Sequence, residues 1–393
     1  MLVVPGLAAA VAGPASILDW LALLLLSALF AWVFSALGRR VRGAGGVIAY
    51  ATAGLGSTVG SVVGWCFLAG VVVGAPVVCL IGGGYVAEAF GAGTGASIGI
   101  AAGLLVVVLM GTLASTTSST SLQLVVVGVL ITLVVVAVAG SLHNLRFENW
   151  TPFTPHGVAS IGSAAPVLMF SFIGWEVMAS LVGELRDTDR QLPRVVTIAF
   201  IVTAVLYLGL AVATIGVLGP AAGGATPLSA LMKIILGPTA GGVVAAVAAV
   251  VLTVAACNAY LTSAREMVAT MRQGTARWVL PVGVAVVAAA VLGAIGAYWL
   301  TLTPLVAVPT TLFLAVYVGC MVSATRILTG PVRLAAAFAT AATSAILALC
   351  GSALLAVAAV ATVVVIARRR AAANLRPSST PDHGRQDTTT LAL

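Results

Sequence analysis

Apolar runs of about twenty residues alternate with short polar turns along nearly the whole chain. An α-helix needs about 20 mostly apolar residues to cross a bilayer, so each run predicts a membrane span. Residues 1–13 are apolar but too short to cross alone, which predicts one partial span ahead of the complete ones. The eleven complete spans are predicted at 16–38, 60–88, 94–114, 119–141, 157–184, 192–218, 240–270, 278–298, 302–324, 331–350 and 352–367.

The run at 157–184 differs from the others because the sequence Phe172-Ile173-Gly174-Trp175-Glu176 interrupts it. A glycine costs about 1 kcal/mol relative to alanine inside a helix. A charged side chain at mid-bilayer depth costs about 2.5–3.5 kcal/mol on insertion scales. The two together predict a broken helix whose unwound backbone faces a cavity. A kinked packing helix, with Glu176 near one interface or paired with a neighbour, is the alternative.

Composition excludes a soluble protein. The chain is 61% hydrophobic and 7% charged, with a mean hydropathy of +1.19, whereas soluble domains have about 25% charged residues. The five cysteines fall inside apolar runs without paired spacing, so we interpret them as small buried hydrophobes and expect neither a disulfide framework nor a metal site. These cysteines are Cys66, Cys79, Cys257, Cys320 and Cys350.

The positive charges predict an orientation. With the segment after the second span placed in the cytoplasm, sixteen of the eighteen Lys and Arg residues lie on the cytoplasmic side, and only Arg146 and Lys233 lie opposite. This bias is what the positive-inside rule expects. From Arg368 the chain becomes basic and then polar, which predicts a transmembrane domain at 1–367 and a disordered cytoplasmic tail at 368–393.

A dense charged turn follows the interrupted run and contains Glu184, Arg186, Arg190 and Pro193. We predict that Pro193 stands at a helix start, where its missing N–H costs little. Oppositely charged side chains can pair across this predicted cytoplasmic loop. A structural clamp and a role in gating are both consistent with the pattern.

One amide, Asn258, lies in the middle of a long apolar run. Buried Asn in membrane helices more often bonds another helix than a ligand, and a substrate contact is the alternative.

Enzyme motifs are missing from the sequence: it contains no HExxH, GxSxG or P-loop pattern, and its three histidines lie in loops or the tail. Interleaved basic and aromatic residues typical of nucleic-acid binding are also missing.

Three stretches resemble the amino acid–polyamine–organocation superfamily, namely FSFIGWEVMASLVGELRDTDRQLPR at 170–194, GRRVRGAGGVIAYATAGLG at 38–56 and VPGLAAAVAGPAS at 4–16. The resemblance runs over nearly the whole chain. Within the superfamily the chain looks most similar to bacterial exporters of methionine and branched-chain amino acids. Two further stretches, GTLASTTSSTSLQ at 111–123 and NAYLTSARE at 258–266, add to this resemblance.

The resemblance implies an all-α polytopic membrane protein with a LeuT-like five-plus-five inverted repeat plus two helices. About 12 transmembrane segments are expected, the first of them truncated. In such proteins the unwound part of the sixth helix offers main-chain carbonyls to the substrate ammonium, here from Phe172, Ile173 and Gly174. Phe170 or Phe172 would close over the substrate, with Trp175 in the same stretch. Glu176 matches an acid linked to proton coupling or gating.

The resemblance also bears on the substrate. The third-helix face around Val71, Ala75 and Val78 lacks polar groups, which favours a neutral aliphatic amino acid. No resident cofactor or metal is implied, the proton is the coupling ion suggested, and a homodimer in the lipid bilayer is left open. The fifth span, 122–140, carries no Lys or acid, so the sequence leaves the coupling ion undecided.

The family's first helix carries a Gly-x-Gly break just ahead of VPGLAA, whereas this sequence begins after that point. Either the start of the protein lies upstream, which we expect, or the carboxylate half of the site is absent. The sequence therefore predicts a secondary active transporter of methionine, leucine, isoleucine and valine in a bacterial cytoplasmic (inner) membrane, working by efflux or proton-coupled exchange. An uptake permease of the same superfamily and a transport-inactive scaffold or sensor are the alternatives.

Overall fold

The structure is a computed structural model of the chain. It describes residues 2–41, 45–114, 120–178, 185–271, 278–299 and 302–374. Over these ranges the chain is helical with no strand, which confirms the predicted all-α fold. The α-helices in chain order are α1 Val4–Ala12, α2 Ser16–Arg40, α3 Gly46–Leu55, α4 Ser57–Ala89, α5 Thr94–Leu113, α6 Thr120–Ser141, α7 Ala165–Phe172, α8 Thr188–Leu218, α9 Pro227–Leu236, α10 Pro238–Met271, α11 Val279–Gly296, α12 Leu302–Ile327, α13 Pro331–Ala348 and α14 Leu354–Asn374.

Ten stretches of the described chain are long and apolar enough to cross a membrane. They correspond to ten of the eleven predicted complete spans, with α1 and α2 forming one stretch, Val4–Arg40, at the N-terminal end. The run at 157–184 is the exception. Its described part holds only the short apolar segment Ala165–Val177, in which α7 is followed by a break and a single 3-10 turn.

Two predicted boundaries differ from the structure. Helix α8 begins at Thr188 because the side chain of Asp187 accepts a hydrogen bond from the Arg190 N–H at 3.2 Å and caps the helix there. Pro193 therefore lies inside α8 and not at its start. At the other end of the chain, α14 continues to Asn374, past the predicted domain boundary at 367. Residues 375–393, which contain most of the predicted tail, lie outside the described part.

Helix α4 lies at the centre of the bundle, against α3, α5, α10 and α12. Small residues allow this close packing. A Cβ atom added to Gly83 would meet the Ser97 carbonyl oxygen of α5 at 2.5 Å, and one added to Gly82 would meet Thr253 of α10 at 2.5 Å. Helices α5 and α10 can approach α4 this closely because these positions lack side chains.

The short helix α9 covers one end of the bundle, against α6, α8 and α10. Its apolar side is buried through Leu228, Leu231 and Met232. Its polar side is joined to the end of α4, where Lys233 forms an ion pair with Glu88 and the Ser229 hydroxyl donates to the same carboxylate at 2.7 Å. One end of α4 is thereby fixed to the segment that joins α8 to α10.

Candidate functional site

The interruption predicted at 172–176 is present. Helix α7 ends at Phe172, Ile173 is extended with ψ 131°, and Gly174 has φ +148°. That φ lies in a region that side chains with a Cβ rarely adopt, so glycine is required here. A single 3-10 turn, Trp175–Val177, follows. The Ile173 N–H still bonds the Met169 carbonyl at 3.2 Å, and the helical hydrogen-bond ladder is broken at the next two amides, those of Gly174 and Trp175.

At the break, the N–H groups are directed away from the helix that they would otherwise continue. The Gly174 N–H donates to Glu176 Oε2 at 2.8 Å and to the Tyr317 hydroxyl at 3.1 Å, and the Trp175 N–H donates to the same hydroxyl at 3.0 Å. In a continuous helix these donors would bond the carbonyls of Phe170 and Ser171. The Ser171 carbonyl instead accepts from the Tyr207 hydroxyl at 2.7 Å. The end of α7 thus presents carbonyl oxygens that no helical amide occupies.

Glu176 is buried, with 2% of its surface exposed. Its Oε2 accepts from the Tyr317 hydroxyl at 2.5 Å, and its Oε1 accepts from the Tyr260 hydroxyl at 3.2 Å. Within the described residues no Lys or Arg forms an ion pair with it. Its hydrogen-bond partners are therefore two phenol groups and one backbone amide.

A cavity of about 250 Å³ lies beside the break, between α4, α7, α10 and α12. Three of the predicted substrate residues line it: Phe170, Ile173 and Ala75. Val71 and Val78, from the same face of α4 as Ala75, line it as well. The wall is mostly apolar, and its polar groups are hydroxyls, a thiol and main-chain atoms.

Four other predicted substrate residues do not line the cavity. The Phe172 ring packs against Trp20 and Tyr207, with centroids 5.8 and 5.4 Å apart. The Trp175 indole N–H donates to the Ser27 hydroxyl at 2.7 Å. Gly174 sets the backbone geometry of the break, and Asn258 is half-buried on α10 beside the cavity-lining Cys257. Adjacent side chains of an α-helix point about 100° apart, so the Asn258 side chain is turned away from the direction of Cys257.

The three carbonyls predicted to bind the ammonium also differ from one another. The Gly174 carbonyl accepts from the Val177 N–H at 3.2 Å, and the Phe172 carbonyl lies 3.5 Å from the Tyr317 hydroxyl. Of these three carbonyls, only that of Ile173 belongs to a residue that lines the cavity. The geometry therefore favours Ile173, together with the Phe170 carbonyl released by the break.

Sequence reasoning missed the hydroxyl groups of the site. Tyr207 and Tyr260 line the cavity, Tyr317 lies behind the break, and Ser171 lines the cavity with an oxygen that has no partner among the described residues. Ser171 is 8% exposed. A signal for the tyrosines was present, because a Tyr in the middle of an apolar span must find a partner for its hydroxyl.

The described residues of the predicted cytoplasmic loop lie apart from the cavity. Glu184 falls outside the described residues. Arg186 is exposed, and Arg190 pairs with Asp187 at 3.9 Å in an exposed contact, which is typically worth about 0–1 kcal/mol. Pro193 lies in a groove with Trp32 and Phe200. Arg186, Arg190 and Pro193 do not line the cavity, and a clamp or gating role of the loop remains a prediction.

Two helix ends meet the cavity with opposite polarity. Leu2, which precedes the start of α1, lines the cavity, and the Tyr85 hydroxyl fixes its carbonyl with a 2.8 Å hydrogen bond. The N-terminal end of a helix carries partial positive charge and free N–H groups, and the C-terminal end carries partial negative charge. The start of α1 and the end of α7 therefore suit a carboxylate and an ammonium group, respectively.

Comparisons with known proteins found similarity over most of the chain. A family model described as amino acid permease matches residues 1–379. The chain is 29% identical over 343 residues to the uncharacterized amino acid permease YecA of Bacillus subtilis, which covers 84% of this chain and 81% of YecA. It is 29% identical over 210 residues to the L-methionine/branched-chain amino acid exporter YjeH of Escherichia coli, which covers 52% of this chain and 49% of YjeH. Over 95 residues, 24% of this chain and 20% of the relative, it is 30% identical to the branched-chain amino acid permease BcaP of Bacillus subtilis.

Proposed function

The chain belongs to the amino acid permease family, and from that premise we propose that it exports neutral aliphatic amino acids in exchange for protons. It is an integral membrane protein that transports amino acids, and not an enzyme. The substrate class, the direction and the coupling ion are the proposal. One observation carries it: the broken end of α7 adjoins an apolar cavity.

The amino group is the first part of the substrate to consider. A substrate ammonium carries three donors and needs acceptors in a place without water. The Phe170 carbonyl, released by the break, and the carbonyl of Ile173 would supply two acceptors, and the unpartnered Ser171 hydroxyl would supply a third. The end of α7 adds a favourable dipole. The carboxylate would then lie toward the start of α1, near Leu2.

The substrate side chain would occupy the apolar part of the wall. Val71, Ala75 and Val78 of α4 and Phe313 of α12 form this part, and none of the described residues that line the cavity is charged. A charged side chain placed there would lose its hydration without a partner, which is strongly unfavourable. The volume of about 250 Å³ is below the usual range of about 300–1,000 Å³ for drug-sized ligands. It suits one small molecule such as leucine or methionine.

Glu176 is proposed to carry the coupled proton. A buried carboxyl group without a cationic partner can change charge only by exchanging a proton, and membrane acids of this kind mark proton relays. Tyr260 connects it to the substrate, because this side chain both lines the cavity and donates to Glu176 at 3.2 Å. A substrate that displaces Tyr260 would change the hydrogen bonds of Glu176, and this contact would couple the two bound species.

Direction is argued from the relatives and orientation from the charge bias. The similarity to an E. coli exporter covers 52% of this chain and favours efflux, while the shorter similarity to a B. subtilis permease favours uptake. The charge bias of sixteen to two supports a bacterial cytoplasmic membrane with the C-terminus in the cytoplasm. A homodimer stays a prediction.

The test uses the full chain in liposomes. Vesicles loaded with unlabelled leucine should accumulate external radiolabelled leucine by counterflow, and unlabelled methionine, isoleucine and valine should compete while lysine and glutamate should not. An imposed proton gradient should then drive net leucine movement toward the acidic side, because protons flow toward the alkaline side and exchange moves leucine in the opposite direction. Counterflow with competition by lysine would overturn the substrate class, and gradient-independent net movement would overturn proton coupling. No counterflow with any amino acid would favour the scaffold or sensor alternative.

A further inference from the structure

Two cysteines from different helices meet in the wall of the cavity. The sulfur atoms of Cys79 on α4 and Cys257 on α10 lie 3.9 Å apart, and both residues are buried. A disulfide bond is about 2.0 Å long, so these are two free thiols in contact. Cys257 lines the cavity, and its thiol also points toward the carbonyl of Ala75 at 3.8 Å. A small molecule in the cavity can therefore reach this pair.

The other three cysteines have different surroundings. The thiols of Cys320 and Cys350 point at the main-chain carbonyls of Val47 and Ile346, and Cys66 is buried on α4 about three and a half helical turns from Cys79. Proximity to a second thiol therefore distinguishes Cys79 and Cys257. The two cysteines are 178 residues apart, so no local sequence pattern indicates the pair.

We propose that Cys79 and Cys257 form a dithiol site that binds trivalent organoarsenic compounds from the cavity. Such a compound, R–As=O, reacts with two thiols to give R–As(SR′)₂ and water. Two S–H bonds and the As=O bond break, two As–S bonds form, and both protons leave with the oxygen. No oxidant or reductant is needed. A single thiol cannot complete this reaction, so the spacing of the pair sets the selectivity.

Charge explains why this class of ligand suits the site. The arsenic adduct is neutral, whereas a monovalent soft metal ion held by two thiolates would leave one negative charge in an apolar wall. An unpaired charge there is strongly disfavoured. Zn²⁺ favours four ligands in a tetrahedron, and no cluster of three or more His, Cys, Asp or Glu residues exists in the described ranges. A neutral two-thiol adduct is therefore the best match to this wall.

Local backbone structure permits the small movement that the adduct needs. Pro76 lies within α4, three residues before Cys79, and has no N–H to bond the Val72 carbonyl. The helix is therefore less constrained at this point. The organic group on arsenic would project from Cys257 into the cavity, where the substrate is proposed to bind. Binding should block transport, an outcome that rests on the proposed function.

The first experiment measures binding without transport. A variant that combines Cys66→Ala, Cys320→Ala and Cys350→Ala retains only the proposed pair and is purified as the full chain. With phenylarsine oxide, intact-protein mass spectrometry should detect one added C₆H₅As with loss of two hydrogens. A dithiol such as 2,3-dimercaptopropanol should remove the adduct, whereas the same thiol concentration of 2-mercaptoethanol should not. Adding Cys79→Ser to this variant should abolish the adduct.

The outcomes separate the site from the transport proposal. An adduct that persists after Cys79→Ser, or no adduct in the three-alanine variant, overturns the dithiol site. If that variant does not purify as folded protein, the same mass measurement on the single variants Cys79→Ser and Cys66→Ala decides the question. In that comparison the Cys66→Ala variant should keep one adduct that a dithiol removes, and the Cys79→Ser variant should lack it. An adduct without inhibition of leucine counterflow keeps the dithiol site and contradicts only the substrate position.

Discussion

The hydroxyl of Tyr317 lies 2.5 Å from Oε2 of Glu176, although 141 residues separate the two in the chain. The same hydroxyl accepts the N–H groups of Gly174 and Trp175 at 3.1 and 3.0 Å. A side chain of α12 thus satisfies the donors that the break in the α7 segment leaves without helical partners. The break is held open by contacts from another helix, and Gly174 supplies the backbone freedom that it needs.

Removing that hydroxyl should destabilise the protein. In Tyr317→Phe the Gly174 amide keeps its bond to Glu176, but the Trp175 amide loses its acceptor. Leaving a buried group unsatisfied costs about 1–3 kcal/mol. We expect a lower midpoint of thermal unfolding in detergent. The matched control is Tyr298→Phe, since that side chain is 85% exposed. An equal midpoint for the two variants would contradict the role assigned to Tyr317.

A methyl group at Gly174 should weaken substrate binding through the backbone alone. The φ of +148° is unfavourable for alanine, while the added Cβ would meet only the Tyr260 hydroxyl at an ordinary 3.7 Å. Strain of this kind costs about 1–3 kcal/mol. We expect Gly174→Ala to raise the half-saturating leucine concentration by about tenfold, equivalent to about 1.4 kcal/mol. The control Gly283→Ala changes a helical glycine with open space around it, and it should transport normally.

Glu176→Gln should separate proton coupling from substrate movement. Glutamine cannot exchange a proton, yet its amide can keep contacts with Tyr260 and Tyr317. We expect net leucine transport driven by a proton gradient to be lost, while leucine–leucine counterflow continues. The control Glu266→Gln alters an exposed acid of α10 and should retain both activities. Gradient-driven transport that survives in Glu176→Gln would remove this residue from the coupling step.

The apolar wall of α4 should set the size of the substrate. Ala75 is 5% exposed and lines the cavity, so Ala75→Leu would occupy space that a leucine side chain needs. Leucine counterflow should require about tenfold more substrate, a difference of about 1.4 kcal/mol, and alanine should be affected less. Val107→Leu, at a position that is 59% exposed on α5, is the control. An equal effect on leucine and alanine would argue against a side-chain pocket at Ala75.

Much of the fold follows from local sequence. Long apolar runs predict the spans through one physical rule, the length of helix that crosses a bilayer. Gly174 and Glu176 predict the break because each is costly in a continuous membrane helix. The start of α8 was predicted too late, since the signal in the apolar run at 192 outweighed Asp187, whose side chain caps the helix.

The site itself depends on contacts between distant segments, which one sequence does not reveal. Tyr317 and Tyr260 approach Glu176 from α12 and α10, and Cys257 approaches Cys79 from 178 residues away. Asn258 was a candidate substrate contact because it is the polar residue of its run. In the structure the neighbouring Cys257 lines the cavity, and Asn258 does not. Which side of a fully apolar helix faces a cavity is set by its packing partners, and the hydrophobic pattern carries no such information.

The most direct test of the account is an experimental structure of the full chain in lipid nanodiscs with saturating leucine, determined by electron cryomicroscopy. The account predicts ligand density in the cavity beside Ala75, with the amino group about 3 Å from the carbonyls of Phe170 or Ile173 and the helix still broken at Ile173 and Gly174. A continuous helix through residues 172–176, or leucine bound elsewhere with this cavity unoccupied, would contradict it.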